Sequence, residues 1–329
     1  MSSLVGHTAQ RTSLERLFGS GRLPTTMMFA GPAGIGKQKL AHLVASSLLC
    51  ERAVFGGCDE CAACRLIAHS NHPDLRVVEC GSPDESNVAA IREVLYSLHL
   101  KAYAGTRRVV LFNDAESMSV QTANTLLKHF EEPRPHTSFI LVCANPAELP
   151  ATLLSRCQIW FFDRLSDEAV GRYLESHPEL TTYEGETIDP HELIALADGS
   201  LADIALLREH LPLWRDLREK LTRIRAGDGF IAHDVAQTLG KKKDVLPAAL
   251  LLMRIFARQE LHRSSAPADC SVWAMFLTNV LTAQTLILER NLAAPPVLHL
   301  AFVHLAGRPE LGSWPTLTHG GSPLKDALL

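Results

Sequence analysis

The chain has 329 residues, of which 47% are hydrophobic and 21% charged, with a formal net charge of −4. These values predict a soluble protein of two or three domains, long enough to bury a sizeable core. The slightly acidic balance argues against a protein that grips nucleic acid alone through phosphate contacts. No apolar run is expected to span a bilayer, and the opening residues lack the basic-then-apolar pattern of a secretory leader.

The first 165 residues alternate short apolar runs with helical patterns. The predicted strands are Met27–Ala30, Leu75–Glu79, Val109–Asn113, Phe139–Ala144 and Ile159–Phe162. Each is almost continuously apolar, the pattern of a strand covered on both faces in a parallel sheet. Helices are predicted at Gln38–Leu49, Asn87–Leu98, Val120–Phe130 and Ala151–Leu154. The alternation predicts an α/β fold with a parallel sheet.

Directly after the first strand comes Gly31-Pro-Ala-Gly34-Ile-Gly36-Lys37-Gln38, a G-x-x-x-x-G-K sequence between strand and helix. Glycines let backbone N–H groups fold around phosphate oxygens, and the lysine reaches the β and γ phosphates. A working loop places Ser or Thr after the lysine to hold Mg²⁺. Gln38 stands there, and an amide is a poor substitute for a hydroxyl on a hard cation. The partner strand of such a site normally ends in Asp and Glu; here Val109–Asn113 ends in Asn113 and Asp114. Two altered parts of one magnesium site predict a dead or very weak ATPase. Whether ADP or ATP still binds weakly is left open by the retained glycines and Lys37.

Eight cysteines are present, and Cys50, Cys58, Cys61 and Cys64 fall as C-x7-C-x2-C-x2-C. Four thiolates at such spacing can close a tetrahedron around structural Zn²⁺, with Gly56 and Gly57 helping the turn. The alternative is a set of reduced, unmetallated thiols. His69 and His72 lie nearby, but four sulfurs already complete the set, and His72 is expected to order the turn before Pro73. The scattered Cys80, Cys143, Cys157 and Cys270 are read as core residues. Lys241-Lys242-Lys243, followed by Asp244, is read as a solvated turn.

Beyond Leu165 the strand signals fade. Ser166 before Asp167 and Glu168 predicts a helix N-cap with an acidic first turn. Helical periodicity resumes after a break at Ala226–Gly229, most clearly over Val245–Gln259, Val272–Arg290 and Val297–Leu305. The tail from Gly307 is expected to be poorly ordered. The predicted domains are 1–165, an α/β phosphate-loop domain carrying the cysteine module at about 50–64; 166–226, a helical lid; and 227–329, a helical collar.

These motifs resemble the AAA+ clamp-loader family of bacterial DNA polymerase III, and within it the delta-prime type of subunit. The likeness runs from about Val5 to Leu207. It is carried by Leu4-Val-Gly6-His7, Gly21-Arg-Leu-Pro24, the Cys58–Cys64 module, His72-Pro73-Asp74, Ile91-Arg92-Glu93, Ala123–Pro133 and Leu154-Ser155-Arg156-Cys157. The last hundred residues share only helical character and a loose likeness around Glu289–Leu305. The resemblance implies a RecA-like AAA+ domain, a zinc module, a lid and a collar that joins a pentameric ring. In the gamma and tau motor subunits, a run of the Gly-Ser-Leu-Arg-Asp type senses the γ-phosphate through its arginine. Here it reads Gly199-Ser200-Leu201-Ala202-Asp203, a third loss. The Ser155-Arg156-Cys157 element implies that Arg156 is an arginine finger reaching a neighbour's ATP site. The alternative is a surface arginine at a strand start.

The implied function is that of a stator: a non-motor, cytoplasmic subunit working with gamma or tau motors and a delta clamp-opening subunit. It would touch the sliding clamp indirectly and share primer–template DNA across the ring, with no membrane involved. Two other readings are an ATP-hydrolysing motor subunit, which Gln38, Asn113 and Ala202 oppose, and a zinc-dependent DNA-binding module, which the acidic balance opposes.

Overall fold

A computed structural model describes residues 4–80, 91, 93–96, 103, 107–184 and 186–306. The helix expected at Asn87–Leu98, the Arg92 of its motif and the tail from Gly307 therefore lie partly or wholly outside the described residues. The chain divides into two compact units, Met1–His177 with Asp198–Ala202, and Pro178–Ala197 with Asp203–Leu329.

The first unit is a five-stranded parallel sheet covered by helices. Its strands are β1 (Thr26–Ala30), β2 (Leu75–Glu79), β3 (Arg108–Asn113), β4 (Thr137–Cys143) and β5 (Gln158–Phe161), in the order β2-β3-β4-β1-β5. Register is fixed by pairs such as Ala30↔Cys143, Ala30↔Phe161 and Glu79↔Asn113. Strands β1 and β4 are buried along their whole length, as their unbroken apolar runs require. The expectation of two covered faces fails for β2 and β5. These are edge strands, and Arg76, Val77, Glu79, Gln158 and Phe161 are exposed on them.

One layer of the core joins Met28, Val110, Phe112, Phe139 and Leu141 of the sheet to Ala123, Leu126 and Phe130 of the helix Val120–Glu131. That helix starts where Ser119 Oγ accepts the N–H of Thr122 at 3.1 Å, an N-cap. Its buried positions recur at helical spacing, and Phe130 packs on Phe139 with ring centroids 5.1 Å apart. Cutting Phe130 back to alanine removes a buried ring, a change that costs about 3–5 kcal/mol in comparable cores. Ser166 caps the helix Asp167–Ser176 as expected, its Oγ accepting from the N–H of Ala169.

The second unit is almost entirely helical: Pro190–Ala197, the greater part of Leu201–Glu209, Leu211–Arg225, Gly229–Lys241, Leu246–Arg263, Pro267–Gln284 and Ala294–Leu305. An aromatic chain runs through its core, Trp214 to Phe256 to Trp273 to Phe276 to Phe302, with successive centroids 6.1, 5.4, 6.2 and 6.3 Å apart. Arg258 Nη2 donates to the carbonyls of Leu196 and Ala197 and to the Asp203 carboxylate, tying the end of one helix to the start of another. The break at Ala226–Gly229 is a turn inside this unit, with Gly227 at φ 100°. One stretch, Pro267–Leu288, is long and apolar enough to cross a membrane by length and composition. That corrects the expectation that no run reaches such a length. Trp273, Phe276, Val280 and Ala283 of this helix are buried in the core of the unit, which accounts for its apolar character.

Candidate functional site

The phosphate loop leaves β1 at the carboxyl end of the sheet, the edge where open α/β folds bind ligands. Gly31 donates its N–H to the Cys143 carbonyl at 3.1 Å, and a Cβ at Gly31 would stand 2.1 Å from the Phe162 carbonyl oxygen. Gly36 has φ 101° and caps the helix Lys37–Leu49, so both positions demand glycine for a physical reason. Lys37 is buried, and its Nζ donates to the carbonyls of Gly31 and Pro32, each at 2.6 Å. Burial pushes its pKa down, opposed chiefly by the charge of Glu116. Gln38, one step further on, is exposed.

At the end of β3, Asn113 is 3% exposed and donates Nδ2 to Glu79 Oε1 at 2.6 Å. Its Oδ1 is buried with no hydrogen-bond partner among the described residues. Asp114 is exposed and takes a left-handed backbone, φ 49°. The Gly199–Ala202 run lies against the loop from the other side. Leu201 donates its N–H to the Gly34 carbonyl at 2.9 Å. A Cβ on Gly34 would come within 2.3 Å of Ser200 Oγ and 2.8 Å of Ala202 Cβ. The structure thus brings Gly31, Gly34, Gly36, Lys37 and Ala202 together around one loop. At the last of these a methyl group is all that faces the glycine.

Two further residues join this site that the sequence reading missed. His7 hydrogen-bonds through Nε2 to the Ile35 carbonyl at 2.8 Å and packs edge-on against Phe162. A carbonyl accepts, so Nε2 carries the proton; burial pushes the ring pKa down. Glu116 accepts the N–H of Ala144 at 3.0 Å and lies beside Cys143, whose thiol burial pushes up to about 12. Glu116 carries no local motif, and the Leu4-Val-Gly6-His7 run gives no sign of this contact. Each reaches the loop only through the fold.

Arg156 and Ser155 stand elsewhere on the unit, after the short helix Ala151–Leu154. Arg156 Nε donates to Glu131 Oε1 at 2.7 Å, and Nη2 reaches the same oxygen. Nη1 donates to the Thr152 carbonyl at 2.6 Å and to Ser155 Oγ at 3.2 Å. The side chain is one-third exposed. Ser155 in turn donates to the Thr152 carbonyl. Cys157 Sγ is turned inward toward the Leu153 carbonyl, with its pKa raised to about 12 by burial.

The four predicted ligand cysteines do converge. The Sγ atoms of Cys50, Cys58, Cys61 and Cys64 all lie within 4.8 Å of one another. Tetrahedral Zn–S bonds of about 2.3 Å put sulfurs roughly 3.8 Å apart; Cys58 and Cys64 are 4.0 Å apart. Gly56 and Gly57, with φ 88° and 91°, shape the approach. Cys61 caps the helix Ala62–Ala68 by accepting the N–H of Cys64. Backbone donors at Glu60 and Cys61 bring the Cys58 thiol down to about 6, while burial raises Cys64 to about 12. The donor set and spacing fit a structural Zn²⁺. His72 is not in the set; its Nδ1 accepts the N–H of Asp74 and orders the turn around Pro73.

Residues 6–166 match the family described as DNA polymerase III, delta subunit. The chain is 40% identical over 153 residues to DNA polymerase III subunit delta' of Pseudomonas aeruginosa, covering 45% of this chain and 46% of that one. It is 28% identical over 171 residues to subunit delta' of Haemophilus influenzae, covering 52% of each. It is 33% identical over 219 residues to subunit tau of Bacillus subtilis, covering 65% of this chain and 37% of that one. The aligned region spans about half or less of the length of these relatives. The phosphate loop, the cysteine cluster and the Ser155-Arg156-Cys157 element all fall inside the matched segment, and over residues 6–166 the chain is similar to the DNA polymerase III delta-subunit family.

Proposed function

We propose that this chain is a stator of a bacterial replicative clamp loader, a delta-prime-like subunit with no useful ATPase of its own. The observation that carries the reading is the altered phosphate site. Its loop is formed, yet Gln38 replaces the magnesium hydroxyl, Asn113 is paired to Glu79, and Ala202 meets Gly34 with a methyl. Magnesium coordination and γ-phosphate sensing both need oxygens or a guanidinium at these places. The chain's contribution to hydrolysis is then Arg156, offered to a neighbouring gamma or tau motor, with Ser155 beside it. A fixed guanidinium aimed at a transferring phosphoryl group stabilises the charge that spreads over its oxygens.

The cysteine cluster holds a structural Zn²⁺ in this reading and leaves no open coordination position for catalysis. The partners are motor and delta-type subunits in a ring, with the sliding clamp and primer–template DNA shared across the assembly in the cytoplasm. Functionally the chain divides into an AAA+ domain (1–165), a lid (166–226) and a collar (227–329). The formed loop and Lys37 favour one alternative, a motor subunit that binds and turns over ATP. Purified chain assayed alone for magnesium-dependent ATP hydrolysis separates the two: the stator reading expects none above background, and turnover would support the motor.

A further inference from the structure

We propose that Glu131 is a latch on Arg156: its carboxylate competes, within this chain, with the phosphate that Arg156 meets on a neighbouring subunit. The inference rests on the trans role of Arg156 given above and adds how that role is held in check. A guanidinium has five N–H donors, arranged as two forks that match paired oxygens. Nε and Nη2 both spend a proton on Glu131 Oε1. Nη1 spends its two protons on the Thr152 carbonyl and Ser155 Oγ. One N–H, on Nη2, has no further partner among the described residues. Neither fork is free to take a phosphate with two parallel bonds, so a cis contact must break first.

The Glu131 contact is the one suited to break. The Thr152 carbonyl lies one helical turn before Arg156 in the chain and moves with it. Glu131 belongs to a different element, the last residue of the helix Val120–Glu131. A carboxylate there faces the negative end of the helix dipole, a placement that disfavours the anion and that a nearby cation offsets. The side chains are 32% and 49% exposed, so water screens the pair and it exchanges readily. A γ-phosphate carries more charge than one carboxylate and outcompetes it when the neighbour's ATP site is presented. The pair would keep the arginine oriented and neutralised until that moment.

The test is ATP hydrolysis by the motor subunits of the same bacterium, titrated with this full-length chain in the reconstituted loader. Wild type, Glu131→Gln, Glu131→Ala and Arg156→Ala are compared. Removing the competitor raises the fraction of chain whose arginine is free. Glu131→Gln and Glu131→Ala are expected to lower the concentration needed for half-maximal stimulation by about two- to five-fold, the size set by an exposed ion pair. The maximal rate should stay as in wild type, whereas a merely structural role would lower it. Weaker stimulation by both Glu131 variants would overturn the latch and make Glu131 a positioner. Stimulation unchanged by both, with Arg156→Ala impaired, would overturn the latch alone. Full stimulation by Arg156→Ala would instead overturn the trans reading on which the latch depends.

Discussion

The backbone N–H of Leu201 donates to the carbonyl of Gly34 at 2.9 Å, joining two positions 167 residues apart in the chain. Through this bond the start of the helix Leu201–Glu209 is seated on the phosphate loop. Ser200 is buried against the same glycine. The loop's shape is therefore held by the run that, in a motor subunit, would carry the phosphate-sensing arginine.

Gly34→Ala should be destabilising for two reasons at once. The residue has φ 78°, which disfavours any Cβ, and that Cβ would stand 2.3 Å from Ser200 Oγ. We expect a loss of about 1–3 kcal/mol in chemical denaturation. An unchanged transition midpoint would mean the Gly199–Ala202 run does not rest on the loop in solution.

Restoring one part of the magnesium site should not restore the enzyme. Gln38→Thr supplies the missing hydroxyl but leaves Asn113 tied to Glu79 and a methyl at Ala202. Steady-state ATPase assays on the purified variant should remain at background. Turnover by this single variant would show that the other two changes are tolerated.

The cysteine cluster should carry one Zn²⁺ per chain, measurable by elemental analysis of the purified protein. Cys58→Ser or Cys61→Ser should lose it and lower the melting temperature. Because thiolates bind the ion and protons compete for them, retention should weaken as pH falls. Protein purified without any metal, and no less stable for it, would contradict a structural zinc.

Stability should fall in mild acid. His7, His42 and His72 all have pKa values lowered from 6.5, mainly by burial. The folded state therefore binds fewer protons than the unfolded one as pH drops through 6.5, and each proton favours unfolding. The melting temperature should decline between pH 7.5 and 5.5. His7→Gln, which can still donate to the Ile35 carbonyl, should flatten part of that slope. An identical slope in the variant would mean that His7 does not titrate in this range.

Much of the first unit was legible because its signals are local. An apolar run bounded by glycine marks a buried strand, and G-x-x-x-x-G-K marks the loop that follows. Cysteine spacing marks a convergent set. What was not legible depends on long-range placement. No spacing joins Glu116 or His7 to the loop, or Arg156 to Glu131. Edge strands β2 and β5 read like central ones because they carry apolar residues, Val77 and Phe161, at exposed positions as well as at covered ones. The turn at Gly227 lies within the second compact unit, and a glycine at positive φ punctuates a sequence in the same way inside a unit or between units.

The most direct measurement is ATP hydrolysis by the motor subunits in the reconstituted loader, with clamp and primed DNA, using wild-type chain or Arg156→Ala. The isolated chain serves alongside as its own control. We expect a silent isolated chain and a drop of about tenfold or more in the complex carrying Arg156→Ala, a fraction of the ~10³-fold or more that an arginine finger contributes at a single site. ATP turnover by the isolated chain, or a complex indifferent to Arg156→Ala, would contradict it.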